Sequence, residues 1–406
     1  MRLLYNAGIR LYYVTIWLAS FFNSKARLWV NGRKGQAFIR YPESIWFHFA
    51  SLGEFEQGRP VLEGMRRLYP ADKIIITFFS PSGYEARKNT PLADAVYYIP
   101  LDTAKNARGF IDAIQPKIAV FTKYEYWYNF FNEMHRRDIP VYIIAGIFRP
   151  GQIFFKWYGS LHRKILGFVS YFFVQDERSK LLLQDIGISN VIISGDTRFD
   201  RVWANAEHSK QIPAINEFKN GHKIFIAGST WPQDEKLIAA LVSLYPNWKF
   251  IIAPHEISDE KINKLAALLP LNSTIKHSQL TTHHSRPTTH QTLIIDNIGI
   301  LSSLYQYGDI AFIGGGFGAG IHNTLEAAAF GLPVIFGPNY ARFKEANDLV
   351  ALKAGFSIKD EDELKSITDK LVNDEVFYTT TSKKIAAYVK EHTGATSIII
   401  EKIKNI

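Results

Sequence analysis

Residues 308–338 have the sequence GDIAFIGGGFGAGIHNTLEAAAFGLPVIFGP. The apolar runs Asp309–Ile313 and Pro333–Phe336 each predict a short buried strand, and His322–Phe330 between them predicts a helix. Five glycines join the first strand to the helix in a loop with almost no side chains. Such a turn lets a ligand approach the backbone and directs unpaired N–H groups at it. The stretch therefore predicts a parallel α/β unit with a ligand site at the glycine loop.

The spacing of these glycines differs from the dinucleotide-binding fingerprint, because no Gly-x-Gly-x-x-Gly motif opens directly into the helix. Three polar residues, His322, Asn323 and Glu326, occupy the predicted first turn instead. The Glu326 carboxylate could accept hydrogen bonds from two neighbouring hydroxyls of a ribose. The pattern favours a nucleotide-sugar site over a turn that only packs a helix against a sheet.

Length and composition indicate a globular protein of two or three domains. The chain has 406 residues, of which 47% are hydrophobic and 14% aromatic, enough for large cores. It contains no cysteine, which excludes disulfides, thiol catalysis and cysteine–metal sites. The absence of cysteine is compatible with a reducing compartment.

The net charge of +9 is concentrated at the N-terminus. The first 40 residues carry seven basic side chains and no carboxylate, so the remaining residues are nearly neutral. A nucleic-acid partner is not expected, because no long basic stripe is left to follow a phosphate backbone.

An apolar run, Leu11–Phe22, lies between Arg10 and Lys25. Its uncharged stretch is shorter than the roughly 20 residues that a spanning helix needs. We therefore expect residues 1–34 to form an interfacial helical segment whose cationic flanks meet an anionic membrane surface, with the globular body on the cytoplasmic side. A cleaved signal peptide fits less well, because no convincing small-residue cleavage site follows the apolar run. An ordinary buried first helix remains the other interpretation.

From Ser44 onward, short apolar runs alternate with amphipathic stretches, which predicts parallel sheets covered by helices. We predict two Rossmann-like domains that face each other across a cleft, over residues 35–205 and 223–385, with a linker at 206–222 and a C-terminal helix at 386–406. Ligands bind such sheets at the carboxyl ends of the strands. The predicted strands are Ile45–Ala50, Lys73–Phe79, Ala95–Ile99, Ile118–Phe121, Val141–Ala145, Tyr171–Gln175, Val191–Ser194, Lys223–Ala227, Lys249–Ala253, Thr292–Ile295, Asp309–Ile313 and Pro333–Phe336.

Glu54 follows the first predicted strand in the segment Ser51-Leu-Gly-Glu54. Gly53 permits a tight turn, which would leave Glu54 ahead of a helix that begins near Gln57. A carboxylate at this strand end could take a proton from an acceptor hydroxyl. It could equally complement the dipole of the helix, and Glu56 competes for the catalytic role.

Other candidate side chains follow neighbouring strands. Lys123 and Glu125 follow one strand of the first domain and Arg198 follows another, where an arginine suits a carboxylate or phosphate. In the second domain the strand ends are followed by Gly228, Ser229 and Thr230, by Pro254 and His255, and by Ile298, Gly299 and Ile300. The histidine-rich insertion Leu271–Thr292 lacks carboxylates and regular spacing, so we expect a solvated loop and no metal site.

Taken together, these segments resemble the 3-deoxy-D-manno-octulosonic acid (Kdo) transferases. The likeness runs from the N-terminal segment to about residue 350 and is most specific at Ser51–Glu54, His322–Glu326 and Gly337-Pro338. It implies a glycosyltransferase B fold and an inverting transfer of Kdo from CMP-Kdo to a lipid A precursor in lipopolysaccharide biosynthesis. It also implies a location at the cytoplasmic face of the bacterial inner membrane. No cofactor and no obligatory metal are expected, because a CMP leaving group carries a single phosphate.

The resemblance also implies roles for individual residues. Glu54 matches the general base, and Glu125 and Arg198 match transition-state stabilisers, with Arg198 where the family usually has Lys. Lys123 stands where a second Glu is common, the Asn-x-Arg motif is absent near Arg149, and Pro254-His255 lacks the usual intervening Arg. The implied acceptor contacts are Ser51, Gly53, Lys123 and Arg149. The implied donor contacts are Gly228, Ser229, Thr230, Pro254, His255, Ile298, Gly299, Ile300, Gly315, Gly316, His322, Asn323, Thr324, Leu325 and Glu326.

Two other function classes fit the same pattern. One is another fold-B nucleotide-sugar glycosyltransferase or a UDP-sugar epimerase, although an epimerase would not need the membrane segment. The other is a non-catalytic, membrane-bound sensor of sugar nucleotides. The sequence predicts no oligomeric state and no number of Kdo units transferred.

Overall fold

The computed structural model describes residues 2–280 and 289–404, and the chain divides into two compact units. The N-terminal unit comprises Met1–Arg201 and His392–Ile406, and the C-terminal unit comprises Val202–Glu391. Each unit contains one seven-stranded sheet in which all pairings are parallel. The prediction of an α/β protein with two parallel sheets is confirmed.

The sheet of the N-terminal unit has the strand order β3-β2-β1-β4-β5-β6-β7. Its strands are buried on both faces: Trp46 and Phe121 belong to one apolar cluster, and Phe47 and Val120 belong to the opposite one. Such two-sided burial explains the continuous apolar runs in the sequence. The strands are β1 Ser44–Phe49, β2 Ile74–Phe78, β3 Ala95–Tyr98, β4 Pro116–Thr122, β5 Val141–Gly146, β6 Tyr171–Val174 and β7 Val191–Ile193.

Four of the helices that precede and connect these strands, α2, α3, α5 and α8, begin at a polar side chain that caps the first turn. Ser51, Thr103 and Asp176 each accept a hydrogen bond from a backbone N–H of the first turn, which satisfies one otherwise unpaired donor. The helices are α1 Arg2–Ala19, α2 Ser24–Arg33, α3 Leu52–Leu68, α4 Pro81–Arg87, α5 Ala104–Ile114, α6 Tyr128–His135, α7 Ser160–Leu166, α8 Glu177–Gln184 and α9 Thr197–Glu207.

The sheet of the C-terminal unit has the order β10-β11-β9-β8-β12-β13-β14. Phe225, Phe250 and Phe312 lie in its core. The strands are β8 Ile224–Thr230, β9 Lys249–Pro254, β10 Thr274–Lys276, β11 Thr292–Ile294, β12 Ile310–Ile313, β13 Val334–Phe336 and β14 Gly355–Ser357. The helices are α10 Pro213–Lys219, α11 Pro232–Leu244, α12 Asp259–Leu268, α13 His277–Leu280, α14 Leu301–Leu304, α15 Leu325–Ala328, α16 Lys344–Ala351, α17 Glu361–Asn373 and α18 Glu375–Glu391.

Three segments differ from their expected local structure. Residues 206–222, predicted to be a linker, contain the end of α9 and all of α10, because Ile215 and Phe218 are buried. Within the expected loop Leu271–Thr292, the short strand β10 and helix α13 form, and residues 281–288 lie outside the described residues. The single C-terminal helix expected at 386–406 is divided, because α18 ends at Glu391 and the last helix is α19 (Ala395–Lys404). Helix α19 packs Ile399 and Ile403 into the core of the N-terminal unit.

The N-terminal helices α1 and α2 carry an exposed apolar surface. No residue of α1 is fully buried, although Tyr12 stacks on Phe79 and Tyr5 donates a hydrogen bond to Asp102. The large apolar side chains exposed here are Leu3, Leu4, Leu11, Tyr12, Val14, Trp17, Leu18, Phe21, Phe22 and Leu28. In the part of the chain that the structure describes, none of the helices combines the length and hydropathy needed to span a membrane.

Candidate functional site

Each sheet has a switch point, a pair of adjacent strands whose following connections run in opposite directions along the sheet. In the N-terminal unit this pair is β1 and β4, and in the C-terminal unit it is β8 and β12. Open α/β sheets bind ligands beyond the carboxyl ends of the strands at such points. Glu54 and Glu125 follow the first pair, whereas in the second pair Ser229 lies near the end of β8 and the glycine loop follows β12. Each unit therefore has its candidate residues at the expected edge of its sheet.

Glu54 lies in the first turn of α3, not ahead of the helix as expected. The helix begins at Leu52 because the Ser51 hydroxyl caps it by accepting the Glu54 N–H at 3.5 Å. Gly53 is therefore a helical residue and forms no tight turn. The Glu54 carboxylate turns back and accepts the Ala50 N–H through Oε2 at 2.6 Å.

The pKa of Glu54 is raised to about 7. Burial is the main cause, and the negative charge of Glu125 adds to it, while the Ala50 N–H and the Lys123 charge act in the opposite direction. A carboxylate that only complemented the helix dipole would have its pKa lowered. The pKa of Glu54 instead suits proton transfer near neutral pH.

Glu125 is held between two ring nitrogens. Its Oε2 lies 3.2 Å from His48 Nε2 and accepts a hydrogen bond from Trp127 Nε1 at 3.0 Å. The carboxylate keeps only 15% exposure, and His48 is fully buried. The structure thus brings Glu54 and Glu125 together beyond the ends of β1 and β4.

Arg198 forms an ion pair with Asp196. Its Nε and Nη2 lie 2.8 and 2.7 Å from Asp196 Oδ2, and Gln57 Nε2 donates to Oδ1 of the same carboxylate at 3.0 Å. These contacts attach the loop before α9 to α3 one turn after Glu54. Lys123 has a left-handed backbone (φ 58°) and influences Glu54 electrostatically, whereas Arg149 is exposed and acts on Tyr124.

In the C-terminal unit, much of the glycine loop is used for packing. A Cβ on Gly314 would lie 2.2 Å from the Ser229 carbonyl oxygen, and a Cβ on Gly316 would lie 2.6 Å from the Gly337 backbone. The Gly315 N–H donates to Asp234 Oδ2 at 2.9 Å, and the same oxygen accepts the Trp231 N–H at 2.8 Å. Asp234 therefore ties the ends of β8 and β12 together, and the Gly315 N–H is not directed at a ligand.

We expect Gly314→Ala to lower the free energy of unfolding of the protein by about 2–4 kcal/mol, because its Cβ would overlap backbone that cannot move independently. Gly318→Ala is the matched control, since its nearest heavy atom would be 3.7 Å away. Chemical denaturation of both variants measures the difference. Equal midpoints would show that the loop tolerates a side chain at both positions.

Three rings stack beside this loop. The Trp231 and His255 ring centroids lie 4.9 Å apart, and those of His255 and His322 lie 4.3 Å apart, with interplanar angles of 27° and 24°. Trp231 Nε1 donates to His322 Nε2 at 3.1 Å, and burial lowers the pKa of His322, with His255 adding to the effect. A cavity of about 480 Å³ adjoins the stack and is lined by Trp231, Asp234, Gly315, Phe317, Gly320 and His322 among others.

The helix expected at His322–Phe330 is reduced to α15, four residues from Leu325. His322 and Asn323 precede it, so a helix N-terminus as a phosphate site is not available here. Asn323 Nδ2 donates to Glu326 Oε1 at 3.1 Å, and Asn323 Oδ1 accepts the Leu325 N–H. The Thr324 hydroxyl is buried without a hydrogen-bond partner.

The remaining donor candidates lie in three different places. Thr230 is buried next to the stack, since its carbonyl accepts the His255 N–H at 2.9 Å, and Pro254 ends β9 beside it. Gly228 lies against Tyr305, whose buried hydroxyl has its pKa raised by burial and by Glu326. Ile298 and Gly299 are exposed. Within residues 2–280 and 289–404, His, Asp and Glu side chains form no group of three that could hold a metal.

Sequence reasoning missed four residues that organise these sites: His48, Thr77, Trp231 and Asp234. A polar side chain inside an apolar strand was the available signal for His48 and Thr77, which stand opposite each other in β1 and β2. Trp231 and Asp234 could not be found in this way, because their roles depend on how the β8 and β12 loops meet.

Several curated relatives of this chain are named 3-deoxy-D-manno-octulosonic acid transferases. A family profile described as 3-Deoxy-D-manno-octulosonic-acid transferase (kdotransferase) matches residues 23–201. The 3-deoxy-D-manno-octulosonic acid transferase of Haemophilus influenzae is 30% identical over 327 residues, which cover 77% of this chain and 75% of that protein. The enzyme of the same name from Aquifex aeolicus is 26% identical over 81% of this chain and 86% of its own length.

Solved structures agree on the fold. The UDP-GlcNAc 2-epimerase from Neisseria meningitidis bound to UDP-GlcNAc superposes with a TM-score of 0.61 at 16% identity, over 89% of this chain and all of that one. This likeness supports a glycosyltransferase B-like architecture and carries no information on the reaction. Together with the sequence relatives, it leads to one assignment. The chain belongs to the 3-deoxy-D-manno-octulosonic acid (Kdo) transferase family of glycosyltransferases.

Proposed function

We propose that this protein transfers Kdo from CMP-Kdo to a hydroxyl of a lipid A precursor in lipopolysaccharide biosynthesis, with Glu54 as the general base. The observation that carries the proposal is the environment of Glu54. It lies at the switch point of its sheet, next to a second carboxylate, with a pKa raised to about 7. A base with this pKa is ionised in a useful fraction at neutral pH and still accepts a proton readily.

In the proposed reaction, Glu54 removes the proton of the acceptor hydroxyl as its oxygen attacks the anomeric carbon of Kdo. The bond from that carbon to the CMP phosphate breaks, and the electron pair leaves with the phosphate. Glu125, held in place by His48 and Trp127, provides negative charge for the cationic character of the sugar in the transition state. We propose that Arg198 stabilises the negative charge of the leaving phosphate or of the Kdo carboxylate.

For the donor, we propose binding of the CMP portion at the glycine-loop site of the C-terminal unit. The rings of Trp231, His255 and His322 offer aromatic surface beside a cavity of about 480 Å³. Glu326, fixed by Asn323, is our candidate acceptor for the ribose hydroxyls. We propose that the reaction needs no obligatory metal. The expected cleft between the donor and acceptor sites stays a prediction.

We place the protein at the cytoplasmic face of the bacterial inner membrane, attached through residues 1–34. The exposed apolar side chains of α1 and α2, with the surrounding arginines and lysines, support an interfacial location. This location would bring the acceptor site to a substrate that resides in the membrane.

The pH dependence of transfer should follow the ionisation of Glu54. The base must be deprotonated, so kcat/KM is expected to fall about tenfold for each pH unit below about 7 and to level off above it. Initial rates across pH 5–9, with enzyme stability checked at each pH, measure this acidic limb of the pH–rate profile. A fall in kcat/KM that begins only near the ordinary pKa of a glutamate would contradict the proposed base.

One incubation tests the reaction itself. The protein is mixed with CMP-Kdo and a tetra-acylated disaccharide acceptor, and the lipid is analysed by mass spectrometry. An added Kdo mass that depends on both substrates supports the proposal, and the number of added masses gives the number of units transferred. No product with CMP-Kdo, together with epimerisation of UDP-GlcNAc, would support the alternative enzyme class.

A further inference from the structure

We propose that His48 is a positioning residue for the transfer reaction. A chain of hydrogen bonds from Trp46 through Thr77 fixes His48 as the Nε2–H tautomer and directs that N–H at Glu125. The kinetic consequence rests on the function proposed above, whereas the tautomer itself does not.

The chain of bonds follows from the pairing of β1 and β2. Trp46 and His48 are two residues apart on β1 and point to the same face of the sheet, and Thr77 stands opposite His48 on β2. Trp46 Nε1 lies 2.8 Å from Thr77 Oγ1, and His48 Nδ1 lies 2.8 Å from the same oxygen. All three side chains are fully buried, so water does not compete for these bonds.

The donors and acceptors present restrict the direction of each bond. The indole N–H of Trp46 can only donate, so it occupies one acceptor site of the Thr77 hydroxyl. The hydroxyl has one proton to donate, either to His48 Nδ1 at 2.8 Å or to the Phe47 carbonyl at 3.5 Å. If the neutral ring instead donated from Nδ1, its unprotonated Nε2 would face a second acceptor, Glu125 Oε2, at 3.2 Å. Donation from the hydroxyl to Nδ1 avoids this and is therefore favoured. A neutral His48 that accepts at Nδ1 carries its proton on Nε2, which faces Glu125 Oε2 at 3.2 Å.

This chain of hydrogen bonds affects the charge beside Glu54. The N–H bond from His48 holds the Glu125 carboxylate close to Glu54, and the negative charge of Glu125 contributes to the raised pKa of Glu54. Among the described residues, other titratable groups that interact with this pair of carboxylates include Lys123, Tyr5, Tyr12, Tyr124 and Tyr126. Without the Thr77 proton, His48 can also present an unprotonated Nε2 to Glu125, and two facing acceptors favour a displaced carboxylate.

The kinetic test compares Thr77→Val with Thr77→Ser. Valine keeps the shape of threonine but removes the hydroxyl, whereas serine keeps it. For Thr77→Val we expect kcat to fall about tenfold with the KM for CMP-Kdo within about twofold. We also expect the acidic limb of its pH profile to move about half a pH unit lower, because a displaced Glu125 carboxylate raises the pKa of Glu54 less. Thr77→Ser should retain the rate and the limb of the wild type.

A second pair of variants keeps the test valid if Thr77→Val does not fold. His48→Gln can still donate to Glu125 from nearly the same point in space, whereas His48→Phe cannot. His48→Gln should therefore be at least about fivefold more active than His48→Phe at equal stability. Equal activity of the two, or a Thr77→Val profile identical to wild type, would overturn the positioning role.

The tautomer is read directly by nitrogen-15 NMR of histidine-labelled protein, with the His48 signals assigned from the His48→Gln spectrum. We expect an unprotonated Nδ1 and a protonated Nε2 in the wild type, and a mixture in Thr77→Val. An imidazolium or an Nδ1–H signal would refute the proposed chain of hydrogen bonds. Because this measurement needs no substrate, failure of Kdo transfer in the wild type with the expected spectrum would overturn the proposed function alone.

Discussion

Replacing Glu54 with Gln is expected to lower the rate of Kdo transfer by roughly 10²–10⁴ while leaving the affinity for CMP unchanged. The amide keeps a hydrogen-bond acceptor for the Ala50 N–H, so the first turn of α3 should persist. It cannot take the acceptor proton. Steady-state rates, with CMP affinity measured by calorimetry, separate a loss of chemistry from a loss of binding.

Glu56→Gln is the matched control, two residues further along the same helix. The Glu56 carboxylate accepts a hydrogen bond from Arg87 Nη2 at 2.7 Å and lies 2.6 Å from Arg201 Nη2, so it is already engaged in ion pairs. We expect its replacement to change the rate only a few-fold. Undiminished transfer by Glu54→Gln would remove Glu54 from the base role, and a large loss in Glu56→Gln alone would transfer that role to Glu56. A sensor without catalysis would keep its output in both variants.

The strands could be predicted because each is a short apolar run bounded by polar or turn residues. All twelve predicted strands are present within a few residues of their expected ends. Among the residues that the structure describes, two further strands were missed, β10 and β14, which have three residues each and lie at sheet edges, where little apolar sequence is needed. Helix starts were less predictable, as α3 shows: Gly53 suggested a turn, but the Ser51 cap and the packing of Phe55 extend the helix back to Leu52.

The order of strands within a sheet could not be obtained from the sequence, because it depends on contacts between distant segments. Yet this order puts Glu54 and Glu125 at the same switch point. The glycine loop shows a related limit. Its glycines were expected to admit a ligand, but Gly314 and Gly316 are required by backbone packing against Ser229 and Gly337. Only the folded arrangement separates these two uses of glycine.

Replacing three exposed apolar residues of the N-terminal segment is expected to reduce binding to anionic vesicles at least about tenfold. Leu11, Leu18 and Phe22 are 68%, 53% and 94% exposed, so their change to Ser should not disturb the core. Deleting residues 1–34 would be a poorer test, because Trp29 and Val30 are buried and Arg33 donates to three backbone carbonyls. Co-sedimentation with phosphatidylglycerol vesicles measures the effect.

The matched control replaces three other residues with Ser: Leu181, Leu244 and Val376. These residues are similarly exposed but lie outside the N-terminal segment. If α1 and α2 are the membrane contact, only the first triple variant should leave the vesicles, and raising the salt should weaken wild-type binding because Arg2, Arg10, Lys25 and Arg27 contribute attraction. The first variant should still act on an acceptor dispersed in detergent, since no Glu54 contact is changed. Sedimentation of both variants like the wild type would refute attachment through this segment, and loss of activity in detergent would show instead that these side chains support the acceptor site.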